Sequence, residues 1–169
     1  MGNSGSTKKK KNHPQGPHRH ASEEGAFIQL LEFPGIYGYR NTVLKTKKVT
    51  YTPGLKCSLG GYTFAVQCRL ELDKDGEVAV CVVVYLQAGQ WDNNVSWPFA
   101  KKTWVNVTHP RDHEKDIWLK VSLDEPRMTK KPEPGRWNHG RRSHLVKFQR
   151  LEHNGFIHDN KLYVNVELQ

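Results

Sequence analysis

Several features that are typical of metalloproteins, secreted proteins and membrane proteins are scarce in this chain of 169 residues. It has only three cysteines, Cys57, Cys68 and Cys81, and no Cys-x-x-Cys pair, which argues against a disulfide framework and a zinc finger. Its apolar runs are shorter than the roughly 20 residues of a membrane helix, and its first residues lack the apolar core of a secretion signal. We therefore expect a cytosolic chain with free thiols.

The histidines are the remaining candidates for catalysis or metal binding. His109 and His113 are four residues apart, but Pro110 disfavours a helix that would present both on one face. The three cysteines have no neighbouring base that would activate a thiol. We therefore expect no catalytic residue, no metal site and no cofactor, and thus a protein that is not an enzyme.

What the chain has instead is strand periodicity around the turn sequence Asp73-Lys74-Asp75-Gly76. Before this turn, apolar residues alternate with polar ones, as in a half-buried antiparallel strand. After it, both alternating sets are apolar, which is typical of a central strand. The apolar residues of the first strand are Phe64, Val66, Cys68, Leu70 and Leu72, and those on one face of the second are Val78, Val80, Val82, Val84 and Leu86.

Five further segments read better as strands than as helices: residues 27–33, 43–51, 103–108, 117–123 and 161–168. Short strands with Gly and Pro punctuation predict an all-β fold, an antiparallel β-sandwich of about eight strands. Large aromatic residues dominate such cores. We expect the sandwich or its ends to be filled by Trp91, Trp97, Phe99, Trp104, Trp118, Phe148 and Tyr163.

The order of four motifs resembles the meprin and TRAF homology (MATH) domain, particularly its TRAF branch. These motifs are Gly61-Tyr62, a strand that ends at Asp75-Gly76, the apolar strand that follows, and Trp97-Pro98-Phe99 on leaving that strand. Residues 155–164 resemble the final bend and last strand of the family. The resemblance extends from about residue 27 to 168 and implies a TRAF-like sandwich domain over residues 26–169.

The resemblance implies a non-enzymatic adaptor or signalling module that binds short linear peptides of receptors or adaptor proteins along a sheet edge. By resemblance, the outward Arg69 and Glu71 contact the peptide, and Asp75 with Gly76 closes the site. Many TRAF domains have an aromatic residue at the position of Glu71, so the preferred peptide should differ. Because members of the TRAF branch are trimeric, a weak homotrimer is a further expectation.

The loop at residues 127–144 is rich in Lys and Arg and suits an acidic peptide. We assign Lys130, Lys131 and Arg141 to peptide binding on this basis. A solvated surface loop explains the same composition. An alternative function uses the basic surface for nucleic acid or anionic lipid, and nucleic acid is disfavoured because no nucleic-acid module is recognisable.

The first 25 residues read as a disordered basic tail. Gly2 fits the N-myristoylation pattern Met-Gly-x-x-x-Ser, and four lysines follow at Lys8, Lys9, Lys10 and Lys11. One myristoyl chain binds membranes only marginally, and a basic cluster supplies the second signal. These residues predict a cytoplasmic protein that is peripheral on the cytosolic face of a membrane, with an anionic membrane surface as a partner.

Overall fold

The computed structural model describes residues 16–169, so Gly2 and the four lysines of the tail lie outside the described residues. Within that part of the chain, strands dominate, and three α-helices and two 3-10 helices, Asp92–Asn94 and His113–Lys115, connect them. The α-helices are Ile36–Thr46 (α1), Pro126–Thr129 (α2) and Phe148–His153 (α3). The strands are Phe27–Pro34 (β1), Thr50–Tyr51 (β2), Leu55–Leu59 (β3), Tyr62–Leu72 (β4), Val78–Gln87 (β5), Thr103–Thr108 (β6), Ile117–Lys120 (β7), Arg141–Arg142 (β8), Val146–Lys147 (β9), Ile157–His158 (β10) and Lys161–Leu168 (β11).

The strands form two antiparallel sheets. Sheet A has the order β1-β11-β6-β7, with β10 also paired to β11. Sheet B has the order β2-β4-β5-β8, with β3 paired to β4 and β9 paired to β5. This arrangement confirms the predicted antiparallel sandwich. The extra strands beyond the predicted eight are short, because β2, β8, β9 and β10 have two residues each.

The core lies between the two sheets and is built from the alternation that the sequence shows. Phe64, Val66, Cys68 and Leu70 of β4 are fully buried, as are Leu162, Val164 and Val166 of β11. Burial of each such aliphatic side chain contributes about 1.5–3 kcal/mol. The opposite side chains of β4 and β5 therefore point to the outer face of sheet B.

One predicted strand is wrong. Residues 43–46 belong to α1, and only Thr50 and Tyr51 of the predicted segment pair as a strand. Gly35 with a φ of 71° opens the helix, and Ile36 and Val43, seven residues apart, bury the same helical face. Burial of Ile36 and Val43 stabilises the helix more than the alternation in residues 43–51 stabilises a strand. Of the described residues, none belongs to a helix with the length and apolar character needed to cross a bilayer.

Two of the predicted core aromatics are also misplaced. Trp91 and Trp118 keep 54% and 44% of their surface exposed. Trp118 lies on the short strand β7, which is an edge of sheet A among the described residues. Phe99, Phe148 and Tyr163 are buried as predicted.

The predicted flexible tail runs to residue 25, whereas residues 16–22, which we call the strap, contact sheet A. The Asn165 amide donates to the Pro17 carbonyl at 3.0 Å. Arg19 Nε lies 2.7 Å from Asp116 Oδ2, and these side chains are only 8% and 3% exposed. A buried ion pair holds a short segment in place where composition alone indicates a tether.

Candidate functional site

Two adjoining depressions lie on the outer face of sheet B, and together we call them the outer-face groove. One, of about 660 Å³, is lined by Glu71, Cys81, Arg127 and Arg141 among others. The other, of about 600 Å³, is lined by Tyr51, Arg69, Val83, Tyr85 and Trp137. Both share His139, Gly140 and Arg142. The groove is therefore continuous across β4, β5 and the segment beside β5.

The outward positions of β4 and β5 form the floor of the groove. Arg69 is paired across the strands with Cys81, and Glu71 with Ala79. Because residues 79 and 81 are short, the long side chains of β4 stand above them. Arg69 and Glu71 therefore point outward from sheet B, as the sequence predicts.

One wall of the groove depends on two glycines. The Trp137 ring lies 5.1 Å from the Tyr85 ring, and a Cβ on Gly54 would lie 2.4 Å from the Trp137 ring. A Cβ on Gly140 would lie 2.5 Å from the Tyr85 ring. Only a residue without a side chain fits at either position, so the glycines set how closely Trp137 and Tyr85 approach.

Arg69 is held by its neighbours and still has a donor to spare. Its Nη2 lies 3.2 Å from Glu71 Oε2, and its guanidinium is 5.6 Å from the Tyr51 ring centre. Its Nε is buried without a hydrogen-bond partner. A buried donor without a partner costs free energy, so the position of this side chain is set by its packing against the neighbouring residues.

The other arginines of the groove differ in whether they are already paired. Arg127 Nε lies 2.8 Å from Glu125 Oε2, and Arg141 Nη2 lies 2.6 Å from Asp124 Oδ1. Arg142 is exposed and, within residues 16–169, has no carboxylate within ion-pair distance. Arg142 is therefore the arginine of this groove whose charge is open to a ligand.

The same segment forms the edge of sheet B beyond β5. Residues 136–147 follow β5 through the Gln87–Trp137 bridge, β8 and β9. In the described sheet, β8 is the last strand of its path. An edge strand leaves backbone donors and acceptors that can pair with an added strand.

The turn residues Asp75 and Gly76 lie at the end of the β4–β5 hairpin and do not line the groove. Gly76 has a φ of 75°, and Asp75 Oδ2 lies 3.1 Å from Lys147 Nζ. Lys147 also lies 2.7 Å from Glu77 Oε2. Donation from the Glu77 backbone N–H is the main cause that lowers the pKa of Asp73 in the same turn. This geometry ties the turn to β9.

The predicted basic residues are divided among separate surfaces. Arg141 lines the outer-face groove, and its Nε also donates to the Ser122 carbonyl. Lys130 lines a neighbouring depression with Arg127, Arg136 and Trp137. Lys131 bonds the Asn93 side chain in a third depression. The structure therefore brings Arg69, Glu71 and Arg141 together, with Lys130 adjacent and Lys131 elsewhere.

Sequence reasoning missed two aromatic residues of the groove, Tyr51 and Tyr85. Both lie on strands, and the period-2 pattern of β5 already places Tyr85 on the outer face. Trp137 and Arg142 belong to the Lys- and Arg-rich segment that the sequence indicates, but its path along β5, which includes Arg142 in β8, has no periodic signal. The available signal was Gly140, a glycine directly before the arginine pair.

The thiols are not poised for chemistry. Burial is the main cause that raises the pKa of Cys57 to about 12 and that of Cys81 to about 11. Both remain neutral thiols near pH 7, and thiolate is the nucleophilic form. His109 is also committed structurally, since its Nδ1 accepts from the backbone N–H of Arg111 and of Asp112. In the part of the chain that the structure describes, no cluster of three or more metal-ligating side chains occurs.

A groove beside an edge strand of a β-sandwich is an arrangement by which interaction modules bind extended peptides. The TRAF/meprin MATH-domain family matches residues 47–165, and the chain belongs to that family. Among solved structures, TRAF5 of Notothenia coriiceps is similar in fold, with a TM-score of 0.59 and 15% identity over 84% of this chain and 72% of that chain. No curated protein matches the sequence significantly. Domains of this family bind protein partners and are generally non-enzymatic.

Proposed function

We propose that this protein is a non-enzymatic adaptor that binds a short, extended, acidic peptide of a receptor or adaptor protein in the outer-face groove. The observation that carries the proposal is the exposed Arg142, which has no ion-pair partner among the described residues and lies on the edge strand β8. Arg142 pairs with a carboxylate of the peptide, and the backbone of β8 pairs with the peptide backbone.

The other groove residues divide the recognition between apolar and polar contacts. Tyr51, Tyr85 and Trp137 offer aromatic surface beside the edge, and Trp137 keeps 43% of its surface exposed. The guanidinium of Arg69, which lines the same depression, donates to a peptide carbonyl or carboxylate. A hydrogen bond to a charged group contributes about 1.5–3 kcal/mol, so Arg142 alone accounts for roughly a tenfold or larger change in affinity.

Selection from a random peptide display library, followed by titration of the selected peptides, tests this function. We expect selected peptides to carry Glu or Asp, and Arg142→Ala to weaken binding about tenfold or more. Arg136→Ala is the matched control, because Arg136 is an exposed arginine of the same loop that pairs with Glu133. It should leave the affinity unchanged within about twofold.

Two results would contradict the proposal. One is a set of selected peptides without acidic residues that bind Arg142→Ala as tightly as the parent. The other is binding of RNA or anionic vesicles through Arg142 with no peptide selected at all, which would favour the alternative function of the basic surface. A steep loss of that affinity with salt would identify phosphate contacts.

We further propose that the N-terminal tail holds the protein at the cytosolic face of a membrane. Gly2 provides the myristoylation site and Lys8, Lys9, Lys10 and Lys11 provide the basic cluster. Intact mass and vesicle partition of the protein expressed with an N-myristoyltransferase test this, with Gly2→Ala as the control. An unmodified protein that stays in solution would refute it. A weak homotrimer is tested separately by analytical ultracentrifugation.

A further inference from the structure

The strap is fixed to the outer face of sheet A by two acidic side chains. Asp116 accepts from Arg19 Nε at 2.7 Å and from Arg19 Nη2 at 3.0 Å. Glu167 of β11 accepts from Ser22 Oγ at 2.9 Å and also from the Ser22 backbone N–H. Each end of residues 19–22 is thus bound to one carboxylate.

Glu167 depends on the strap for its partners. It is only 1% exposed although it lies on the outer face of sheet A, paired with Ile28 and Trp104 in the neighbouring strands. Apart from Ser22, its hydrogen-bond donor within residues 16–169 is the Gln169 side-chain amide, at 3.3 Å. Ser22 is itself an exposed residue, and its hydroxyl donates to this buried carboxylate.

We propose that Ser22 is a phosphorylation site for a protein kinase that recognises an arginine three residues before the acceptor, and that the phosphate releases the strap. Arg19 stands at that position, in the sequence Arg19-His20-Ala21-Ser22. A basic residue at a fixed offset is the kind of charge pattern by which kinases select substrates. In the docked strap this arginine is buried against Asp116, so the kinase binds the strap while it is transiently released. The phosphate then keeps the strap from docking again.

The transfer takes the γ-phosphoryl group of a nucleoside triphosphate. An O–P bond forms at Ser22 Oγ, the bond from the γ-phosphorus to the bridging oxygen breaks, and the nucleoside diphosphate leaves. The hydroxyl proton passes to a carboxylate of the kinase.

The modified strap then loses its fit for two reasons. The donor at Ser22 Oγ is gone, and about two negative charges lie against the Glu167 carboxylate. The phosphate also competes with Asp116 for Arg19, which is three residues away in the chain. Once the strap leaves, water reaches Glu167 and Asp116, so neither carboxylate stays buried without a partner.

Release has two consequences on the molecule. The link between the N-terminal tail and the sandwich gains residues 16–22 as free chain, which lengthens the reach of the tail. The polar row of Asn106, Asn165 and Glu167 on the outer face of sheet A is uncovered. This face is on the opposite sheet from the outer-face groove, so the switch is separate from the proposed peptide site.

Amide hydrogen exchange of Ser22, whose backbone N–H donates to Glu167, measures release, with phosphoserine installed at position 22 during translation. We expect exchange to become about tenfold faster or more in the phosphorylated protein. In Glu167→Gln the same phosphate should accelerate exchange by less than about threefold, because the neutral amide removes the repulsion and donates to the phosphate. Phosphoserine at the exposed Ser96 is the matched control and should change nothing in the strap.

Kinase treatment supplies the second measurement. Incubation with ATP and a basophilic kinase that selects arginine at this offset should place phosphate on Ser22, located by mass spectrometry, and Arg19→Ala should slow this at least about tenfold. Unchanged exchange with phosphoserine 22, an equal acceleration in Glu167→Gln, or no phosphate on Ser22 would each overturn the proposal. So would faster phosphorylation of Arg19→Ala.

Discussion

Removing Asp116 should cost much more stability than removing its partner Arg19. Asp116 is the shared acceptor of three groups: the Arg19 guanidinium, the Asn106 amide at 3.0 Å and the His109 backbone N–H at 2.8 Å. Asp116→Ala therefore leaves two donors of the folded domain without an acceptor, besides freeing the strap. Arg19→Ala leaves both of those donors bound to the carboxylate.

The magnitudes follow from these contacts. Each buried donor that loses its acceptor costs about 1–3 kcal/mol, and breaking a buried pair from one side typically costs about 3–5 kcal/mol. We expect the upper range for Asp116→Ala, because Asn106 and His109 cannot move away from the sheet. Arg19→Ala should cost about 1–2 kcal/mol, since the loosened strap lets water reach Asp116. The expected difference is therefore about 2 kcal/mol.

Urea unfolding followed by tryptophan fluorescence measures the difference. With a slope of about 1–3 kcal/mol per molar urea, 2 kcal/mol separates the two midpoints by about 1 M. Arg40→Ala is the matched control, because Arg40 forms a partly exposed pair with Glu152 at 3.4 Å and should cost less than about 1 kcal/mol. If Arg19→Ala destabilises the domain as much as Asp116→Ala does, the strap is an integral part of the fold and this reasoning is refuted.

Two further predictions concern the core. Burial raises the pKa of Cys57 from 9.0 to about 12, so the unfolded thiol ionises first and stability, complete below about pH 9, falls as the pH rises toward 12. Between pH 8 and pH 10, the free energy of unfolding of the parent, measured from urea midpoints, should fall by about 1 kcal/mol more than that of Cys57→Ala. An equal fall in both proteins would contradict this prediction. Phe99→Ala should cost about 3–5 kcal/mol, because the buried ring packs at 4.9 Å from Tyr62 and 5.8 Å from Phe64. If Phe99→Ala lowers the free energy of unfolding by less than about 1 kcal/mol, measured by thermal or urea unfolding, these ring contacts do not stabilise the domain as expected.

The parts of the fold that could be predicted are those with a clear period. Alternation along β4 and β5 fixes which side chains are buried, and it placed Arg69 and Glu71 outward correctly. The helix α1 was not predicted, because only two of its residues, Ile36 and Val43, are buried, and they are seven residues apart. Such a sparse pattern competes poorly with a run of β-branched residues until the rest of the core is known.

The candidate site was predictable where it lies on the long strand β4, and the basic composition of residues 127–144 also indicated Arg141. Arg142 and Trp137 reach the groove because residues 136–147 follow β5 irregularly, and no local propensity encodes that path. Asp75 was assigned to the peptide, yet the structure shows it beside Lys147, a residue far along the chain. The partners of the peptide-site residues Asp75 and Lys131 were set by tertiary contacts that the sequence pattern does not contain.

The place of β11 in sheet A governs the order in which the molecule can assemble. β11 is hydrogen-bonded to β1 on one side and to β6 on the other, and Phe27 is paired with Leu168. During synthesis, β1 and β6 thus leave the ribosome long before the strand that joins them, whereas β3, β4 and β5 can pair locally. Until residues 161–168 emerge, β1 and β6 each have an edge without its partner strand. Completion of sheet A is therefore the step of folding at which the chain is most prone to aggregate and at which chaperones can bind it.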